Sequence, residues 1–314
     1  MRYSTYKKLN QLSVAPKQNY DIDWATQKGI SYSQYSLYKQ CQFRWYLQYA
    51  KKIKVFEPSM HLVFGTAFHE TLQEYIRVMY DQSAKAANSL DLETFLKERM
   101  LESYKEIYDN NGNIHFAKPD DFKDFITDGV ILLDWIKSKR ARYFTLKSVE
   151  LKGIEIPVKG LITEDAPSIF MIGSIDLVFY DKRDGKYTIY DIKTSTRGWS
   201  EMDKRDQTKI NQILLYKHYY SKLIKVDLDK VDVKFFIVKR KPYENPDFPT
   251  HRVQEFVPAN GNKKIEKAVN QFKEFINSCY DSSGKLLDRS YEKNLSACKY
   301  CPFNNKPELC NRNQ

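Results

Sequence analysis

Hydrophobic positions along the chain change period near Lys147, and that change separates a helical front from a strand-rich second half. From Ser31 onward, Tyr35, Tyr38, Cys41 and Trp45 recur at helical spacing and predict a first helix. Gly65 opens a second, with Phe68, Leu72, Tyr75 and Met79 on its apolar face and His69 beside that face. Apolar residues at three- and four-residue steps predict helices near Leu92–Tyr108 and Phe122–Tyr143, parted by the turn residues Asn110–Asn113. Past Lys147 the pattern predicts strands at Val149–Val158, Ile172–Tyr180 and Tyr187–Thr194. Asp184-Gly185 joins the last two as a hairpin. A polar loop with Arg197, Trp199, Lys204 and Arg205 leads to a helix near Gln207–Leu223, whose apolar side holds Ile210, Leu214 and Tyr220. Strands at Val231–Lys239 and Val253–Val257 follow, then an amphipathic helix marked by Ile265, Val269, Phe272, Ile276 and Cys279. Residues 1–30 are polar and aperiodic, and are expected to form a loose arm. Helices, a run of strands, one crossover helix and further strands describe an α/β or α+β core with a helical front, and α/β is the class expected.

Composition narrows the partners more than the fold. At 314 residues, 42% of them hydrophobic, the chain can bury a sizeable core and is not of disordered type. Lys and Arg number 51 against 40 Asp and Glu, a formal charge of +11 that suits a polyanion, above all nucleic acid. The opening Met-Arg-Tyr-Ser-Thr-Tyr-Lys-Lys has no apolar core of signal-peptide length, and no apolar run is long enough to span a membrane. An intracellular, cytoplasmic protein is therefore expected. In a reducing compartment five cysteines would not form a disulfide framework, so their placement needs another account.

Candidate chemistry concentrates on the hairpin. Asp191 and Lys193 are two apart and project from one face of a strand, and Asp176 lies on the neighbouring strand. Two acids can hold a hard divalent cation through oxygen, and a lysine beside them can steady charge on an attacking water or a phosphate. The same residues would also serve as a salt bridge flanking a turn. Gln212 and Tyr216, four apart on one helix face, can hydrogen-bond phosphate oxygens or the lysine. In the first helix aromatic residues stand beside basic ones, with Arg44 the residue expected to touch phosphate; an ordinary amphipathic helix has the same pattern. The tail carries Cys298-x-x-Cys301 and, with eight residues between, Cys310. Cys279 sits on the apolar side of its helix and reads as a core residue. Glu70 and Glu150 are acids in reserve with no spacing that singles them out.

In combination these pieces resemble the nuclease domain of RecB and AddB proteins, within the PD-(D/E)XK superfamily. Gly65-x-x-x-His69, Gly173-x-x-Asp176, Asp191-x-Lys193 and Gln212-Ile-Leu-Leu-Tyr216 occur in the family's order, and Ile175 stands where the name-giving proline would be. The resemblance implies a restriction-endonuclease-like core with a mixed central sheet, and a metal-dependent deoxyribonuclease, chiefly an exonuclease on single-stranded DNA. It also implies that His69, Asp176, Asp191 and the carbonyl of Ile192 bind Mg²⁺ or Mn²⁺, that Lys193 activates water, and that Gln212 and Tyr216 hold the strand. Tyr38-x-x-Cys41-x-x-Arg44-Trp45 resembles the upstream cysteine site of AddB-type and CRISPR-adaptation exonucleases, where one early cysteine joins three late ones around a [4Fe–4S] cluster. By that resemblance Cys41, Cys298, Cys301 and Cys310 are the ligands, although four thiolates suit zinc as well and the family's last spacing is usually shorter. The implied organisation is an arm at 1–30, a nuclease domain at 31–293 with its helical front at 31–145, and a cluster-binding tail at 294–314. A phage or prokaryotic role in recombination, replication or repair is expected. No Walker-type phosphate loop is present, so any unwinding is expected from a separate helicase. Two other readings are a non-catalytic DNA-binding subunit and a zinc-stabilised nucleic-acid adaptor; iron and sulfide content separates the second from the nuclease.

Overall fold

The computed structural model describes residues 22–311, apart from 24, 54, 56, 145, 146, 244–246, 248, 249 and 305. The sheet is mixed and six-stranded, in the order β1-β3-β4-β5-β6, with β2 paired to β3 outside that path. Its strands are β1 (Lys28–Ser31), β2 (Val149–Leu161), β3 (Ile169–Asp181), β4 (Lys186–Ser195), β5 (Val231–Lys239) and β6 (Val253–Phe256). The helices are α1 (Tyr32–Gln40), α2 (Gln42–Trp45), α3 (Met60–Asp81), α4 (Ala84–Asn88), α5 (Leu92–Asn110), α6 (Pro119–Tyr143), α7 (Glu201–Arg205), α8 (Gln207–Ile224) and α9 (Asn262–Cys279).

Helices cover both faces of the sheet. On one face Val158, Met171, Ile175, Ile189 and Phe235 pack with residues of α1, α8 and α9. On the other, Leu177, Phe179, Tyr190, Ile192 and Phe236 meet α3, α5 and α6. Strand β5 is buried on both faces, which explains its unbroken apolar run. The fold class read from the sequence, α/β with a mixed sheet and a helical front, is the one found.

Three local readings need correction. Lys28–Ser31 is not part of a loose arm but pairs in parallel with Ile169–Ile172 of β3; four residues give too short a pattern to read. Residues 1–21 of that arm lie outside the described residues. The first helix is not continuous. Cys41 is extended (φ −162°, ψ 114°), and its sulfur caps α2 by accepting from the Arg44 N–H at 3.4 Å. The second helix begins at Met60, not Gly65, because Ser59 caps it by accepting from the Leu62 N–H at 3.3 Å.

What positions the site is a fork in the sheet. One edge of β3 pairs with β1 only up to Ile172 and with β4 only from Leu177 onward. Residues 173–176 fall in the gap between those two partners. Asp176 is the last of them.

Candidate active site

In the gap, a side chain replaces a ladder bond. The Asp176 carboxylate accepts the backbone N–H of Ile192 at 2.6 Å. That fixes Asp176 Oδ2 against β4 and turns the Ile192 carbonyl toward α3. His69 Nε2 lies 2.9 Å from that carbonyl oxygen and 3.4 Å from Asp176 Oδ2. Gly65 lets α3 come this close, since a Cβ there would lie 3.2 Å from Thr194 Oγ1 at the end of β4. One helix turn later, His69 meets the strand.

On the opposite face of β4, Lys193 Nζ stands 2.8 Å from Asp191 Oδ2. Asp191 is 2% exposed, and its Oδ2 makes no well-formed hydrogen bond beyond this ion contact. Lys193 also donates to Gln212 Oε1 at 3.2 Å, and Gln212 Nε2 donates to the Tyr216 hydroxyl at 3.2 Å. Four-residue spacing on α8 aligns these last two toward the strand. Gly173 gives Tyr216 its room, because a Cβ there would lie 2.6 Å from the ring. Gly173→Ala is therefore expected to destabilise the protein by about 1–3 kcal/mol. In a Tyr216→Ala background, where the ring is gone, the same change should cost much less. A double-mutant cycle of thermal melts checks this, and equal costs in both backgrounds would remove the contact from the account.

The charges are tuned by burial. Asp176 is pushed up to about 7, chiefly by burial, with His69 opposing and Asp191 adding to the rise. A carboxyl so placed takes up its charge more readily once a cation arrives. For Lys193 burial would lower the pKa, but Asp191 and Asp176 outweigh it and hold the group above its ordinary value. Lys193 is therefore an ammonium at neutral pH, suited to stabilising negative charge rather than to taking a proton.

The donor set fits a hard divalent cation. Bonds of about 2.1 Å in an octahedron put adjacent ligands about 3 Å apart, close to the spacings of His69 Nε2, Asp176 Oδ2 and the Ile192 oxygen. Asp191 adds a buried, under-bonded oxygen. Sequence reasoning missed one acid that belongs here. Glu155 on β2 joins His69 and Asp176 in a group whose ligand atoms all lie within 4.8 Å of one another. Of the reserve acids, Glu150 pairs instead with Lys152 at 2.6 Å and Lys182 at 2.5 Å, and Glu70 faces Arg99 at 3.9 Å.

A family model of the PD-(D/E)XK nuclease superfamily matches residues 29–306. The chain belongs to the PD-(D/E)XK nuclease superfamily. Members of this superfamily are generally nucleases that use divalent metals. No curated protein matches the sequence significantly. Among solved structures, "Crystal structure of SSO0001" is similar with a TM-score of 0.32 and 13% identity, over 90% of this chain and 96% of that one. That likeness is too loose to carry an argument.

The remaining residues read from the sequence gather elsewhere on this nuclease-superfamily fold. Cys41, Cys298, Cys301 and Cys310 line one cavity together with Arg44 and Lys293. Arg44 thus faces the cysteines, not the carboxylates, and its Nε is buried without a hydrogen-bond partner. The cause is the break at Cys41, which re-aims the following turn. Backbone N–H groups of Arg44 and Asn294 point at the Cys41 sulfur, at 3.4 and 3.5 Å. Burial raises the Cys310 thiol, Lys293 opposes, and the three other cysteines raise it further, as expected of thiols crowded together. Cys279 is apart from them, fully buried in the core at the end of α9. No helix among the described residues is long and apolar enough to cross a membrane.

Proposed function

We propose that this chain is a divalent-metal-dependent deoxyribonuclease that degrades single-stranded DNA from an end, in recombination, replication or repair, and that its four cysteines hold a structural [4Fe–4S] cluster. The observation that carries the nuclease reading is the meeting of His69 Nε2, Asp176 Oδ2 and the Ile192 oxygen at ligand-like spacing beside the Asp191–Lys193 pair. His69, Asp176, Asp191 and the Ile192 carbonyl would hold Mg²⁺ or Mn²⁺. When bound, such an ion polarises the phosphodiester and makes water a better nucleophile at neutral pH.

The chain's own residues supply the rest. Lys193, kept charged by Asp191, stabilises negative charge as it develops at phosphorus. Gln212 holds the ammonium in place, and Tyr216 holds Gln212, so the contact chain from α8 fixes where the lysine points. Gln212 and Tyr216 also offer an amide and a phenol to the phosphates of an incoming strand. Support for a single strand comes from aromatics paired with cations beyond the end of β4. The Arg197 guanidinium lies 4.2 Å from the centre of the Tyr243 ring, which is 73% exposed, and Lys209 lies 5.4 Å from that of Trp199. Unstacked bases bind to such platforms whatever their sequence. Any unwinding would come from a separate partner.

End-labelled linear DNA tests the reading. Metal-stripped protein given Mg²⁺ or Mn²⁺ should release nucleotides from linear single strands, spare single-stranded circles, and act poorly on blunt duplexes. Cleavage of circles would replace "exonuclease" with "endonuclease". Absence of metal-dependent cleavage on any DNA would leave the non-catalytic subunit as the better account.

A further inference from the structure

We propose that Glu155 is a further ligand of the site's cation, so that the metal is held between β2, β3 and α3 and not by the family's motif residues alone; this rests on the metal-dependent reading above. Glu155 lies directly across the antiparallel ladder from Asp176, bracketed by the pairs Ile154↔Leu177 and Ile156↔Ile175. It is the one position of β2 with a left-handed backbone, at φ +50°. Residues other than glycine rarely adopt that conformation inside a strand, and it persists only where the surroundings impose it. Here the twist carries the carboxylate to the side of β3 on which His69 stands.

Both of its oxygens are aimed by neutral donors. Gln73 Nε2 donates to Oε1 at 2.7 Å and Ser174 Oγ donates to Oε2 at 2.6 Å. Gln73 is 6% exposed, lies one helix turn beyond His69 on α3, and also donates to the Asp176 carbonyl at 3.4 Å. A single buried amide therefore ties Glu155 to the backbone of Asp176. Each carboxylate oxygen keeps a lone pair free after accepting one bond. Outer hydrogen bonds of this kind orient ligating side chains in metal centres. Glu155 itself touches no cation: its contacts among the described residues are an amide and a hydroxyl. With Asp176 and the imidazole within 4.8 Å, a divalent ion would supply the charge that Glu155 lacks.

Mn²⁺ binding to the metal-stripped full chain, read by calorimetry and by the loss of the free-ion magnetic resonance signal, tests this apart from activity. Glu155→Gln keeps the shape and can still hydrogen-bond, so it should remain folded while binding Mn²⁺ roughly 10–100-fold more weakly. Glu155→Gly, which suits the left-handed backbone, should bind as weakly and melt without metal at or above the temperature of Glu155→Ala. Gln73→Ala should weaken Mn²⁺ binding to a smaller extent. Wild-type affinity in Glu155→Gln, alongside a clear loss in Asp176→Asn, would overturn this proposal and leave the broader reading in place. A wild-type chain that takes up no divalent cation would overturn both.

Discussion

Lys193→Ala is expected to lower turnover of linear single-stranded DNA by on the order of 10²–10³-fold while leaving DNA affinity nearly unchanged. Affinity should survive because phosphate contacts spread over a basic surface supply most of it, and one ammonium is a small part of a chain carrying 51 Lys and Arg. Turnover should not, because Lys193 is fixed by Asp191 on one side and Gln212 on the other. A structural salt bridge would predict a different result, a loss of stability with activity intact in the folded fraction. The variant will also be less stable. Removing the partner of a fully buried charge costs about 3–5 kcal/mol, and less here since Lys193 is 34% exposed while Asp191 is 2% exposed. Pairing Lys193→Met with Asp191→Asn removes that penalty, so the double variant should regain thermal stability and stay inactive. Rates measured with saturating Mn²⁺, affinity measured with Ca²⁺, and a melt of each variant make the comparison. Near wild-type turnover in folded Lys193→Ala would take the lysine out of the chemistry.

How far the site could be read beforehand depended on whether each residue's role follows from local period. The β3–β4 hairpin was legible because Asp184-Gly185 sits between two apolar runs, and a pleated strand must put Asp191 and Lys193 on one face. Gln212 and Tyr216 followed from a four-residue step in the same way. Glu155 did not, because its role comes from a reversed backbone torsion and from a partner across the ladder, and neither leaves a mark on the alternation Ile154-Glu155-Ile156. The fork in the sheet was hidden for a related reason. Strand β1 is four residues long, and its pairing with β3 joins positions some 140 residues apart, beyond the reach of any local pattern. The break in the first helix left no such mark either. Helical spacing put Tyr35, Tyr38, Cys41 and Trp45 on one face, but the extended conformation of Cys41 interrupts that face and delivers Arg44 to the cysteine cavity.

Cys41→Ser is expected to remove colour, iron and sulfide from protein purified without oxygen, and to destabilise it by about 2–5 kcal/mol, as loss of a cross-link between distant residues does. The cavity explains why the effect should be large. Cys41 reaches it from the break between α1 and α2, while Cys298, Cys301 and Cys310 come from the segment after α9, so a shared centre closes a loop around the whole sheet. Direct contacts join the same two segments: Asn294 Nδ2 donates to the Gln40 carbonyl at 2.8 Å, the Phe43 N–H to the Glu292 carbonyl at 2.9 Å and Arg289 to Gln42 Oε1 at 2.8 Å, and Tyr46 stacks on Tyr291 at 4.8 Å. Cys301→Ser should match Cys41→Ser, and Cys310→Ser should do the same if the eight-residue spacing is used. Cys279→Ser provides the contrast. Its sulfur is fully buried and burial pushes the thiol up to about 12, so it is a neutral packing group. A hydroxyl in its place should cost about 1–3 kcal/mol and leave the colour unchanged. Metal analysis decides what the cavity holds. Zinc without iron would overturn the cluster and make the four cysteines a zinc site. Iron and sulfide that survive Cys41→Ser would mean that the link from the front of the chain to its tail rests on these direct contacts, and not on a shared metal centre.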